Sequence, residues 1–201
     1  MQALILGSSS PFRAEILGKL NLPFSTASPD IDETPYEGES PIALVERLSR
    51  QKAMAIAESH PDALIIGSDQ VAVIGNQILG KPGDHQTARQ QLAMSSGKTV
   101  RFLTGLALYN AQDGKMQSLV APFDVTFRML NEDDIEHYLL AEQPYNCSGS
   151  FKSEGLGICL FERLNGDDPN TLIGLPLIQL TKLLKNVGID VLALQTITSK
   201  P

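Results

Sequence analysis

The fold of this chain is set by the stretch Leu4-Ile5-Leu6-Gly7-Ser8-Ser9-Ser10-Pro11-Phe12-Arg13. Its apolar start predicts a buried β-strand that ends at the glycine. Ser10 and Pro11 then predict the start of a helix, because serine is a favoured N-cap and proline fits the first helical position. The free N–H groups and positive dipole end of a helix start attract anions. Together with Arg13, the segment is typical of a phosphate-binding turn, and Phe12 beside it has no evident role in a core.

The pattern outward from this stretch predicts an α/β fold. Strands and helices alternate in the first third of the chain, where a helix begins at Ser40-Pro41 and a buried strand covers Ala63–Gly67. Hairpin signals dominate the middle, with turns at Gly75-Asn76 and Asp113-Gly114. Further on, the pattern predicts a strand over Ile158–Phe161. This mixture favours a mixed β-sheet flanked by helices, arranged in one domain or in two lobes.

Composition narrows the class of protein. The chain has 201 residues, 42% hydrophobic and 19% charged, which is ordinary for a globular enzyme, and we expect a single domain over residues 1–201. A net charge of −7 argues against a surface that coats nucleic acid, since such surfaces are basic, although it is compatible with a nucleotide substrate.

The cysteine content and the missing targeting and membrane segments indicate where the protein is located and which partners it has. It has two cysteines, no apolar run of membrane-spanning length and no signal-peptide pattern, so we expect a cytoplasmic protein. Neither a membrane nor a nucleic-acid polymer is an expected partner. A homodimer is compatible with the sequence, which does not define the oligomeric state.

Two carboxylates are candidates for metal binding. Asp69 closes an apolar strand, where it could hold a metal, accept a proton from water, or simply form a turn. Glu33 lies in the acidic loop Ser28–Gly38 and could be a second ligand or a solvated side chain. Magnesium typically takes one or two carboxylates, several waters and substrate phosphates, so the pair suits Mg²⁺ or Mn²⁺.

Two lysines complete the set of candidate phosphate ligands. Lys52 falls on the apolar stripe of the helix that begins at Pro41, so it either extends past the core edge or points into a cleft. Lys81 stands between Gly80 and Pro82, as a placed side chain or a solvated one. The cations would offset phosphate charge while the carboxylates hold a metal. These candidates are Ser8, Ser10, Arg13, Lys52 and Lys81, with Glu33 and Asp69.

These motifs resemble, in order and spacing, those of the Maf family of nucleoside triphosphate pyrophosphatases. The matching segments are Leu6–Arg13, Asp32-Glu33, Lys52-Ala53, Gly67-Ser68-Asp69, Gly80-Lys81-Pro82, Gly149–Gly157 and Gly174-Leu175-Pro176. The resemblance implies an elongated mixed sheet with a cleft between two lobes, and metal-dependent cleavage between the α- and β-phosphates. It also implies that Asp69 activates water or binds the metal, that Glu33 helps to bind the metal, and that the serines, Arg13 and the two lysines hold the triphosphate.

Three positions suggest the substrate. The family branch that acts on dTTP and UTP usually has Arg, Thr and Gln where this chain has Phe12, Gln70 and Glu154, and the trio here looks like the branch that hydrolyses 7-methyl-GTP. N7-methylation makes guanine cationic, and an aromatic face attracts a cation by roughly 0.5–2 kcal/mol. Glu154 can accept both donors of the guanine Watson–Crick edge. The alternatives are a pyrimidine triphosphate pyrophosphatase and a non-catalytic nucleotide-binding regulator of cell division.

Overall fold

The computed structural model describes residues 2–198 of the chain and shows a mixed α/β fold. Its strands are β1 (Leu4–Gly7), β2 (Ser25–Ala27), β3 (Leu64–Ile74), β4 (Gln77–Leu79), β5 (Thr99–Asn110), β6 (Lys115–Phe127) and β7 (Phe161–Asn165). Its α-helices are α1 (Pro11–Gly18), α2 (Pro41–Ala57), α3 (His85–Ser95), α4 (Glu132–Glu142), α5 (Pro169–Ile173), α6 (Leu177–Asn186) and α7 (Val191–Thr198). Two 3₁₀ turns, Ser148–Ser150 and Leu156–Leu160, lie between α4 and β7.

The described strands form one sheet in the order β2-β1-β3-β5-β6-β7, with β4 paired to β3. The β1 strand runs parallel to both β2 and β3, with Gly7 opposite Gly67, whereas β4 and β7 are antiparallel to their partners. This mixed pairing confirms the α/β fold with a mixed, helix-flanked sheet that the sequence predicts. None of the helices within residues 2–198 is both long and apolar enough to cross a membrane.

The chain divides into two compact units. The first contains the described residues up to Asp69, then Thr104–Ala121 and the described residues from Gly174 onward, and the second contains Gln70–Leu103 and Pro122–Ile173. Each has its own core: Ile5, Ile56 and Ile65 belong to the first, and a cluster of four phenylalanines, Phe102, Phe123, Phe127 and Phe151, lies in the second. The single domain over residues 1–201 and the cleft between lobes stay predictions.

Two glycines in the first unit allow α2 to lie directly on the strands. A Cβ at Gly67 of β3 would clash with the Ser49 carbonyl oxygen of α2, and one at Gly105 of β5 would clash with the Val45 carbonyl oxygen. Because neither glycine carries a side chain, the helix backbone packs against the sheet, and the residues on its inner face reach the strands. Lys52 is one of those residues and is buried.

The structure corrects two expectations about strands. The β3 strand continues from Leu64 to Ile74, so Asp69 lies within it rather than at its end or in a turn. The predicted strand over Ile158–Phe161 is wrong: Leu156–Leu160 is a 3₁₀ helix and the strand covers Phe161–Asn165. In both places a short apolar run fits several kinds of element, and neighbouring strands decide between them.

Candidate active site

The start of α1 forms the first part of the candidate site. Ser10 is the N-cap, and its hydroxyl accepts a hydrogen bond from the Arg13 amide at 3.4 Å, while Pro11 begins the helix. The Ser8 side chain is buried and its hydroxyl accepts from the Ser10 amide at 3.2 Å. Phe12 is 36% exposed in the first turn of the helix. The local structure is therefore the strand, turn and capped helix that the opening stretch predicts.

Arg13 is held by backbone and side-chain contacts. Its Nε donates to the Gly174 carbonyl at 2.8 Å and its Nη1 donates to the Ser8 hydroxyl at 3.4 Å. Burial lowers the pKa of the Arg13 guanidinium, and the nearby carboxylates of Asp69 and Glu33 oppose that effect. The group stays charged, because an arginine pKa lies far above neutral pH.

Lys52 and the two candidate carboxylates meet at one point. The Lys52 ammonium nitrogen lies 2.7 Å from Oδ1 of Asp69 and 2.7 Å from Oε1 of Glu33. Lys52 is 7% exposed, so its ammonium does not extend past the core edge into water but points toward the carboxylates. Three charged side chains from α2, β3 and the loop before α2 are thus brought together.

A second charged group holds the loop that carries Glu33. Arg47 of α2 donates through Nε and Nη2 to the two Glu39 carboxylate oxygens, both at 2.7 Å, and through Nη2 to the Thr34 carbonyl at 3.1 Å. Its guanidinium also stacks 3.9 Å from the centre of the Tyr36 ring. The Arg47 guanidinium holds the pKa of Glu39 at about 2. These contacts order the segment directly after Glu33.

Ser68 is a site residue that the sequence analysis did not single out. Its hydroxyl is fully buried and lies 2.9 Å from both the Gly105 and the Gly174 carbonyl oxygens. Gly174 therefore receives hydrogen bonds from Ser68, the neighbour of Asp69, and from Arg13. A hydroxyl on the buried side of an apolar strand was the available signal, because such a group needs a partner.

The second unit holds the other three candidates. Lys81 is exposed in the segment between β4 and α3, and Glu154 is exposed in the segment between the two 3₁₀ turns. The Gln70 side-chain amide donates to the Thr171 carbonyl at 2.8 Å and to the Leu172 carbonyl at 3.2 Å, so it anchors α5 to β3.

The segment around Glu154 is fixed to α4. The Lys152 ammonium donates to a Glu142 carboxylate oxygen at 3.2 Å, and the Leu156 amide donates to the other at 2.8 Å. The Lys152 amide donates to the Tyr138 hydroxyl at 3.0 Å, and burial raises the pKa of that phenol. Residues on both sides of Glu154 are therefore anchored while its own side chain is exposed.

The first unit thus places a capped helix start, an arginine and a lysine beside two carboxylates on an α/β scaffold. This combination is typical of α/β proteins that bind phosphate chains, since cations can neutralise phosphate charge and paired carboxylates suit a divalent cation. Residues 3–187 match the family model described as Maf-like protein. The chain belongs to this family, as its motifs predict.

Named relatives match almost the whole chain. A 7-methyl-GTP pyrophosphatase of Colwellia psychrerythraea is 60% identical over 196 residues, covering 98% of this chain and 98% of that protein. A protein of the same name from Alcanivorax borkumensis is 61% identical over 187 residues, covering 93% and 95%. Among solved structures, the Staphylococcus aureus Ham1 protein is similar with a TM-score of 0.48 and 11% identity, over 78% of this chain and 90% of that chain.

Proposed function

We propose that this protein hydrolyses the bond between the α- and β-phosphates of 7-methyl-GTP, giving 7-methyl-GMP and pyrophosphate. The observation that carries the proposal is the buried Lys52 ammonium held by the carboxylates of Asp69 and Glu33, beside Arg13 and the start of α1. Relatives named for this activity at 60% and 61% identity support the choice of substrate. The partner is thus a small nucleotide, and we place the activity in the cytoplasm.

Glu33 and Asp69 are the residues that would hold a divalent metal. Their carboxylate oxygens are the hard ligands that Mg²⁺ and Mn²⁺ prefer, and they already hold a positive charge in common. Within residues 2–198 no group of three or more His, Cys, Asp or Glu side chains is placed to bind an ion. Two carboxylates suit a metal that also takes waters and substrate phosphates. A bound metal would supply charge neutralisation on the phosphate oxygens.

Asp69 is proposed to accept the proton of the attacking water. The water oxygen bonds to the α-phosphorus, the bond from that phosphorus to the bridging oxygen breaks, and pyrophosphate leaves with the bonding electron pair. Because Oδ1 of Asp69 is the oxygen that contacts Lys52 and would contact a metal, the proton passes to the second carboxylate oxygen. A positioned general base of this kind contributes about 10²- to 10⁴-fold to a rate.

The phosphate chain is proposed to bind through serine hydroxyls, the α1 N-terminus and three cations. The Ser8 and Ser10 hydroxyls lie at the start of α1, and Arg13 keeps its charge on a side chain already oriented by Gly174. Lys52 and Lys81 supply the remaining charge. Because the Arg13 guanidinium is held before substrate arrives, less rotamer entropy is lost on binding.

The base is proposed to be selected by Phe12, Gln70 and Glu154. The exposed ring of Phe12 offers a face for a cationic methylated base, and the Glu154 carboxylate can accept from the guanine N1–H and N2–H₂ groups. Gln70 acts on selectivity through its hold on α5. A pyrimidine offers only one donor on the corresponding edge, so this set favours guanine.

The test is a turnover screen with Mg²⁺ or Mn²⁺, comparing 7-methyl-GTP, GTP, UTP and dTTP and measuring pyrophosphate. We expect the methylated nucleotide to have the highest kcat/KM, and Asp69→Asn to bind it without releasing pyrophosphate. Faster turnover of UTP or dTTP would replace the proposed substrate with a pyrimidine nucleotide. Nucleotide binding with no pyrophosphate from the wild type would replace the enzyme with a nucleotide-binding regulator.

A further inference from the structure

Gln91 is a buried glutamine in α3 whose two amide atoms contact two different segments. Its Nε2 donates to the Gly80 carbonyl at 3.2 Å, and its Oε1 accepts a hydrogen bond of 2.5 Å from the Ser150 hydroxyl. Gln91 is 9% exposed and Ser150 is fully buried. An amide at such a position costs free energy unless both of its ends are paired, and here both are.

The two partners of Gln91 lie shortly before two proposed substrate ligands in the sequence. Gly80 is the residue before Lys81, the proposed phosphate ligand of the second unit. Ser150 begins the segment that leads to Glu154, the proposed base ligand. A direct backbone bond also joins the two segments, from the Gly149 amide to the Gly80 carbonyl at 3.4 Å. The Gly80 carbonyl is therefore where the Gln91 amide and the Ser150 segment meet.

The Ser150 segment depends on this support because its backbone is strained. Ser150 has a φ of 65°, in the left-handed region that non-glycine residues rarely adopt, and it follows Gly149 at 77°. Backbone strain persists only where surrounding contacts determine the conformation. The hydrogen bond from Ser150 to Gln91 is one of those contacts, and it lies at the end of the 3₁₀ turn Ser148–Ser150, just before the segment that carries Glu154.

We propose that Gln91 is a positioning residue that keeps Lys81 and Glu154 in register, so that one nucleotide meets its phosphate and base ligands together. This inference rests on the proposed function. Gln91 does not touch substrate but acts through Gly80 and Ser150. Its role is thus to keep two binding segments at a fixed separation. That separation matters for binding an intact nucleotide, but not for binding a phosphate chain or a base alone.

The test uses the full chain, the variant Gln91→Met and three probes. Methionine keeps the length of the side chain and removes both hydrogen bonds. We expect kcat/KM for 7-methyl-GTP to fall about 10- to 100-fold, the effect of misplacing ligands by about 1 Å. Inhibition constants of tripolyphosphate, the phosphate half, and of 7-methylguanosine, the base half, should stay within about twofold of wild type, because each half uses only one of the segments.

A matched control is Gln90→Met, which changes an exposed glutamine next to Gln91 on the same helix. It should match the wild type in all three measurements. Turnover of 7-methyl-GTP by the wild type reports separately on the proposed function, so failure of that function is distinguishable from failure of the role of Gln91.

A second variant, Gln91→Glu, keeps the acceptor for Ser150 but lacks the donor to Gly80 while it is ionised. Burial raises the pKa of a carboxyl group, so lowering the pH restores an O–H donor. We therefore expect its kcat/KM, taken relative to wild type at the same pH, to rise as the pH falls from 8 toward 5.5.

Three results would overturn the role of Gln91. The first is an unchanged kcat/KM in Gln91→Met, and the second is an equal loss of affinity for both halves and for the whole nucleotide, which indicates general loss of structure. The third is a relative activity of Gln91→Glu that does not change with pH.

Discussion

The Lys52 ammonium nitrogen lies 2.7 Å from Oδ1 of Asp69, and it joins the inner face of α2 to the middle of β3. The same nitrogen is 2.7 Å from Glu33, whose side chain is 59% exposed. One monovalent cation thus stands between the two carboxylates that would hold a divalent one. The ammonium and a metal ion therefore compete for the same oxygens. Removing the ammonium should strengthen metal binding and lower the stability of the metal-free protein.

The first prediction concerns Lys52→Met. Without the ammonium, Asp69 keeps a mostly buried carboxylate with no cation on Oδ1, and we expect the metal-free protein to lose about 3 kcal/mol of unfolding free energy. Mn²⁺ affinity should rise at least about tenfold, because a unit charge near 4 Å is worth several kcal/mol at protein surfaces. Urea unfolding with and without Mn²⁺ and direct titration of Mn²⁺ measure both effects.

Lys182→Met is the control, since this lysine is exposed on α6. It should change neither the unfolding free energy nor the affinity for Mn²⁺. Weaker Mn²⁺ binding by Lys52→Met than by wild type would contradict the competition between the ammonium and the metal.

The second prediction concerns Asp69→Asn and the position of bond cleavage. The amide keeps the shape of the side chain but accepts a proton poorly, so kcat should fall by about 10²- to 10⁴-fold, while nucleotide affinity changes little when Mn²⁺ saturates both proteins. In the wild type, oxygen from isotopically labelled water should appear in 7-methyl-GMP and not in pyrophosphate. Label found in pyrophosphate would place the attack on the β-phosphorus instead.

The third prediction concerns Gly67→Ala. The added Cβ would meet the Ser49 carbonyl oxygen and the Ala53 backbone, so α2 must shift away from β3. We expect a loss of about 1–3 kcal/mol in unfolding free energy, typical of overpacking. Turnover should fall as well, because Lys52 lies on the shifted helix. Gly18→Ala, where a Cβ meets no atom within 4 Å, is the control and should be neutral or slightly stabilising.

Helices α1 and α2 show which features of the candidate site can be predicted from the sequence and which cannot. The Ser10 cap and the Pro11 start were predictable because they depend only on neighbouring residues. The position of Lys52 on the inner face of α2 was predictable from helical periodicity, but its contact with Asp69 was not. That contact depends on Gly67, whose effect appears only when a helix from elsewhere in the chain packs on it.

The contacts of Gln91 are likewise only partly predictable from the sequence. It lies on a buried stripe of α3 together with Ala88, Leu92 and Ser95, and a polar residue on such a stripe was a signal in the sequence. Its partners, however, are Gly80 and Ser150, one of them 59 positions away. Long-range pairing of this kind is decided by the packed fold and cannot be read from local pattern.

The fourth prediction is a pH dependence of stability at the start of α4. The Arg128 guanidinium, and next the Asn131 amide, hold the pKa of Asp134 at about 2, below its usual 3.8. A carboxyl group whose pKa is lower in the folded than in the unfolded protein stabilises the fold at pH values above its unfolded-state pKa. It loses that contribution as the pH falls through its folded-state pKa. The stability difference between wild type and Asp134→Asn should therefore be full at pH 7 and shrink from about pH 4 toward pH 2.

Chemical unfolding at pH 7, 4 and 2.5 measures this difference. Asp133→Asn, a neighbouring acidic residue in the first turn of α4, serves as the control for the helix-dipole effect alone. A difference between wild type and Asp134→Asn that stays constant down to pH 2.5 would mean that the ion pair with Arg128 is not its source.

The last prediction concerns the base. At neutral pH the 7-methylated guanine of the substrate carries a positive charge that guanine itself lacks, so a cation–π contact acts on 7-methyl-GTP and not on GTP. Phe12→Leu should lower the ratio of their kcat/KM values by about 2- to 30-fold, the equivalent of roughly 0.5–2 kcal/mol. Phe12→Trp should raise this ratio, because tryptophan binds cations more strongly. If Phe12→Leu lowers turnover of GTP and 7-methyl-GTP equally, the ring packs against any base and the charge of the methylated guanine must be recognised by another group.

Glu154 is expected to act on the Watson–Crick edge of the base. Glu154→Gln should reduce turnover of both guanine nucleotides relative to UTP, since the change replaces an ionic acceptor of two guanine donors with a neutral one.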